Sequence, residues 1–107
     1  MVDLTSLIDL KVREAIEALQ AGNKIGWIAL FSVDAKLTDD GSPRSLIGFA
    51  SHALGHERFT SIDRVANAGL DIYGHFHSDR WGDFRTFFKF HPGPDGKFVR
   101  LDIGQAN

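Results

Sequence analysis

Apolar and polar residues alternate over residues 81–90, with Phe84, Thr86, Phe88 and Phe90 on one side and Arg85, Phe87 and Lys89 on the other. Side chains of an extended chain point to opposite faces in turn, so this period of two predicts a strand. His91-Pro92-Gly93-Pro94-Asp95-Gly96 must then turn, since neither a helix nor a ladder tolerates that many prolines and glycines. Residues 97–103 read as a second strand, with Val99, Leu101 and Ile103 alternating. A lone hairpin is barely stable in water, so the rest of the chain has to cover its apolar face.

The first part of that cover is a helix over residues 6–21. Leu4, Ile8, Val12, Ala15, Ile16 and Leu19 recur at spacings of three and four, which lines up one apolar stripe, while Glu14 and Glu17 fall on the wet side. Ser6 and Asp9 resemble a capping box with Asp in place of Glu, and Gly22 stands where a helix stops. Residues 25–33 are rich in β-branched and aromatic side chains and read as a central strand with Ile25, Trp27, Ala29, Phe31 and Val33 on one face. Thr38-Asp39-Asp40-Gly41-Ser42-Pro43 has turn composition, and residues 45–51 return as an antiparallel partner. Residues 61–78 read as a second helix, capped by Thr60 or Ser61, with Ile62, Val65, Ala66, Leu70, Tyr73 and Phe76 along one stripe. The expected fold is a single α+β domain over residues 1–107. It is a two-layer sandwich in the order helix-strand-strand-helix-strand-strand, with an antiparallel sheet and both helices on one face.

Composition narrows the function. Twelve basic residues against fourteen acidic ones give a net charge of −2, and the cations are interleaved with acids, which argues against direct contact with nucleic acid. There is no cysteine, so disulfides, thiolate metal sites and thiol nucleophiles are excluded, in keeping with a cytoplasmic protein. Residues 1–10 lack the basic stretch of a secretory leader, and no apolar run approaches the ~20 residues that span a bilayer, so no membrane association is expected.

Histidines are the best candidates for chemistry. Gly74-His75-Phe76-His77 places two imidazoles two residues apart, so on a strand both rings would share a face and a metal; on the expected helix they would not. His52 and His56 are four apart, but Gly55 lies between them and no Glu follows His52. There is no Gly-x-Ser-x-Gly, and Asp39-Asp40 sits in a turn that explains it. The expectation is therefore no catalytic residue and no cofactor. The rival is a small metal-dependent hydrolase built on His75 and His77 with His52 or His56.

A stretch leading into Trp81, the strand through Phe84–Phe90, and Asp95-Gly96-Lys97-Phe98-Val99-Arg100-Leu101-Asp102 together resemble the C-terminal half of YezG-like (DUF600-type) bacterial immunity proteins, mainly over residues 78–103. In the first half the match is of element order, with Trp27 opening the first strand. The acidic, Tyr-rich tail of that family is reduced here to Asp102 and a short end. The resemblance implies a cytosolic antitoxin that binds and blocks a cognate bacterial toxin. A phage-encoded inhibitor of a host defence complex belongs to the same physical class, and a homodimeric module that buries surplus Phe residues is a third reading. On the inhibitor reading, the partner-binding surface comprises Asp79, Arg80, Trp81, Asp83 and Arg85 with the acidic turn Asp39 and Asp40; the oligomeric state is open.

Overall fold

The structure is a computed structural model that describes residues 2–106. Asp9, not Ser6, caps the first helix: its carboxylate accepts the N–H of Val12 at 2.9 Å, and α1 runs Leu10–Ala21. Gly22 ends it at φ 69°, a left-handed backbone that glycine adopts freely. Val12, Ala15, Ile16 and Leu19 are buried as their spacing requires, but Ile8 is exposed and Leu7 takes its place in the core.

The expected strand over residues 25–33 is a correction. Asn23 accepts the N–H of Gly26 and starts a short helix, α2, Lys24–Ile28. Strand β1 begins only at Phe31 and runs to Asp39. The alternation failed because the Asn23 cap winds residues 24–28 into a helical turn, so Trp27 is buried while Ile25, expected on the same face, is exposed, as is Val33. Asp40 (φ 51°) and Gly41 (φ 86°) form the two-residue turn that left-handed residues favour, and β2, Ser42–Arg44, returns for three residues only. The chain then leaves the sheet, since Ser45 caps α3, Leu46–Ala53, by accepting the N–H of Gly48.

The second expected helix is also a correction. Residues 61–78 fall on two strands, β3, Glu57–Ala66, and β4, Asp71–Ser78, joined by a single tight turn at Asn67–Gly69. Asn67, Ala68 and Gly69 all take positive φ there, which no helix allows. Ile72, Gly74, Phe76 and Ser78 are buried in strict alternation, so the true period of this stretch is two. Gly74 lets the strands close up: a Cβ at that position would run into the carbonyl oxygen of Ser61.

The C-terminal hairpin stands as expected, as β5, Gly82–Pro92, and β6, Phe98–Gln105. Phe88 and Phe90 are buried together with Thr86. A bulge at residues 98–100 buries Phe98 and turns Val99 out, shifting the expected face of β6 until Leu101. The six strands lie in the order β2-β1-β6-β5-β4-β3. The sheet is mixed, not antiparallel, because β1 runs parallel to β6. The observed order is helix-helix-strand-strand-helix and then four strands. One face of the sheet and the buried sides of the helices form a single cluster around Trp27, Phe49, Phe59, Phe88 and Phe90. Phe59, Phe76 and Phe88 meet at centroid distances of 5.0–5.6 Å, within the range of favourable ring pairs.

Candidate functional site

A cavity of about 500 Å³ opens between the β1–β2 turn, α3 and the end of the β4–β5 hairpin. Its inner walls are Phe49, Phe76, Phe84, Phe88 and Ile103. Phe49 is placed there by α3, whose Ser45 cap fixes the helix start, and its ring is capped from outside by the Arg44 guanidinium at 5.2 Å. Thr86 is spent: its hydroxyl donates to the Gly104 carbonyl at 2.7 Å.

The rim is polar and each element of it is held. Asp39 pairs with Arg44 at 2.8 Å. Asp40 accepts the N–H of Gln105 at 2.9 Å, tying the β1–β2 turn to the end of β6. On the opposite side, buried Ser78 organises the β4–β5 turn. Its hydroxyl donates to Glu57 at 2.9 Å and accepts the N–H groups of Arg80 and Trp81 at 3.2 and 3.1 Å. That turn presents Trp81, 69% exposed, with the Arg80 guanidinium 4.7 Å from its ring centroid. Among the described residues no carboxylate lies within ion-pair distance of Arg80.

Four of the seven residues expected at a binding surface, Asp39, Asp40, Arg80 and Trp81, thus line one cavity. The other three do not. Asp83 and Asp79 hold the His77 ring at 2.6 and 3.2 Å, and Asp79 also meets His56 at 3.4 Å. Arg85 lies on β5 directly opposite His75 of β4, on the sheet face away from the core. The cavity's walls escape the sequence reading because it puts Phe76 on a helix and Phe49 on an antiparallel strand, whereas they lie on β4 and α3.

Because β4 is a strand, His75 and His77 do share a face, the arrangement a helix would have forbidden. Each is already engaged by acids: His75 by Asp63 at 2.8 Å, His77 by Asp83 and Asp79. Among the described residues no three His, Asp or Glu side chains are grouped to hold a metal ion. The hydrogen bond that His77 donates to Asp83 raises its pKa above the ordinary 6.5, against an opposing effect of burial and with help from Asp79. None of the five histidines lines the cavity, and no nucleophile sits beside a base within it.

No protein-family profile matches the sequence, and no curated protein does. Solved structures do match in shape. An NTF2-like protein of unknown function from Cytophaga hutchinsonii superposes with a TM-score of 0.71 at 12% identity, over 90% of this chain and 87% of its own. A protein of unknown function with a cystatin-like fold from Xanthomonas campestris gives 0.70 at 16%, over 91% and 88%. The orange carotenoid protein of Anabaena, solved with canthaxanthin, gives 0.73 at 17%, with 95% of this chain spanning 38% of that one. The chain therefore has the NTF2-like, or cystatin-like, α+β fold, with a six-stranded sheet curled over three helices. None of these three is described as an immunity protein.

Proposed function

We propose that the protein binds a small, largely apolar ligand carrying one acidic group, held in the cavity between α3 and the β4–β5 hairpin. The observation that carries this is the pairing of a ring-lined interior with Arg80, a rim cation that has no carboxylate partner among the described residues. Pockets of this size with a few convergent polar groups are the usual form of small-ligand sites. The acids at the rim are committed, Asp39 to Arg44, Asp40 to Gln105 and Glu57 to Ser78, so Arg80 is the group available to an incoming anion. A protein with a similar fold binds canthaxanthin, an apolar molecule. With no base and nucleophile paired in the cavity, binding is favoured over catalysis.

The test uses 8-anilinonaphthalene-1-sulfonate, which joins apolar rings to one anion. Its fluorescence should rise to saturation at one probe per chain. Arg80→Ala should weaken binding about tenfold, and Phe84→Trp, which narrows the cavity, should weaken it further while the melting temperature stays close to wild type. Unsaturable binding, or equal affinity in all three proteins, sinks the reading.

A second reading rests on Trp81 itself. An exposed Trp under an Arg is the kind of side chain that anchors protein interfaces. On this reading the protein is a cytoplasmic inhibitor of a protein partner, an immunity protein or a phage inhibitor, and the neighbouring Arg80 and Asp79 form the rim. Trp81→Ala should then weaken capture of a protein partner more than Lys11→Ala on α1; equal effects from the two would remove it.

A further inference from the structure

The sheet face away from the core carries a second cleft, of about 440 Å³, lined by Asp63, Arg64, Tyr73, His75, Arg85 and the backbone near Ala106. Its geometry follows from a bulge in β3. Ser61 lies opposite His75 and Arg64 opposite Tyr73, with a register shift after Ile62, so Asp63 and Arg64 are both brought against β4. Arg64 is laid over the Tyr73 ring, its guanidinium carbon 4.7 Å from the centroid. Arg85 reaches the same cleft from β5, directly across from His75.

The histidine is oriented as a donor. Its Nδ1 lies 2.8 Å from Asp63 and 3.1 Å from the Ser61 hydroxyl, and that hydroxyl donates to Asp63 at 2.8 Å. Because the Ser61 hydroxyl gives its proton to Asp63, it accepts from Nδ1–H, which fixes the ring beside the carboxylate and leaves Nε2 for an incoming group. Asp63 is the one acid in the lining, and it is engaged by His75 and Ser61. Arg64 and Arg85 have no carboxylate within ion-pair distance among the described residues. Two guanidinium groups without a carboxylate partner among the described residues, beside one paired acid, make a locally positive lining on a chain whose net charge is −2.

We infer that this cleft binds the phosphate group of a small phosphorylated molecule, with Arg64 and Arg85 gripping its oxygens and His75 meeting it through Nε2. Guanidinium forks match the oxygens of a phosphate, and a dianion answers two arginines better than a single carboxylate does. The site is on the opposite side of the sheet from the ring-lined cavity, and each can fail without the other.

The test is calorimetric titration at low salt with inorganic phosphate, phenyl phosphate and benzoate as probes. Phosphate and phenyl phosphate should each saturate at one per chain, and benzoate should bind at least about fivefold more weakly than phenyl phosphate. Arg64→Gln, Arg85→Gln and His75→Gln should each weaken phosphate by at least about fivefold. Arg58→Gln, one row away opposite His77, should leave it unchanged, and circular dichroism should show all four variants folded. Tighter binding of phenyl phosphate assigns the cleft to organic phosphates and equal binding to the free anion; both uphold the site. Absence of saturation, benzoate binding as well as phenyl phosphate, or an equal loss in Arg58→Gln overturns it.

Discussion

His77 holds its proton because Asp83 and Asp79 both accept from it, so its folded pKa is raised. A raised histidine pKa stabilises the fold fully below the unfolded value near 6.5, and that contribution is lost as pH rises through the folded pKa. The melting temperature of Asp83→Asn should therefore fall below wild type at mildly acidic pH, with the gap closing at alkaline pH; a gap independent of pH contradicts the assignment. Asp102 has the opposite sign. Burial pushes its pKa up, but hydrogen bonds from Thr38 at 2.6 Å, Arg100 and His91 together hold it below the ordinary 3.8. Its contribution is present above 3.8 and is lost as pH falls through the lowered value. Thr38→Val should thus move the acid-unfolding midpoint to higher pH, read by circular dichroism, and an unmoved midpoint would show that the Thr38 bond is idle. Gly74→Ala forces a methyl against Ser61 and should cost about 1–3 kcal/mol in denaturant unfolding, as overpacking does.

Short polar caps decide where the helices begin. Asp9→Ala should remove about 1 kcal/mol of stability by orphaning the Val12 N–H, whereas Ser6→Ala should be silent. Equal effects in chemical denaturation would reinstate the longer helix. The same kind of signal separates what could be read in the sequence from what could not. β5 and most of β6 were legible because Phe84, Thr86, Phe88 and Phe90 repeat with a period that only a strand satisfies. β3 and β4 were not, because Ile62, Val65, Ala66 and Leu70 mimic a helical stripe across the Asn67–Gly69 turn, whose lone glycine a helix would also tolerate. α2 was missed because a five-residue helix shows less than two turns of periodicity, and only Asn23 announced it. Half of the rim, Asp39-Asp40 and Arg80-Trp81, could be picked out as polar and aromatic residues at turns. Its walls could not, since they meet only once β5 sits between β4 and β6.

At the scale of the whole molecule, the sheet and the helices bury one aromatic core that takes seven of the nine Phe residues, with Phe84 and Phe87 half-buried. Phe31, Phe49, Phe59, Phe76, Phe88, Phe90 and Phe98 are all buried within the chain. Among the described residues no helix is long and apolar enough to cross a membrane. At the end where the two turns and α3 diverge, the fold leaves a cavity lined by rings and guarded by Arg80. Native mass spectrometry of the chain isolated from its own host tests that account most directly. The account predicts a one-to-one adduct with a small organic acid that disappears in Phe84→Trp. A bare chain, or a stoichiometric protein partner that persists in Phe84→Trp and is lost in Trp81→Ala, would contradict it.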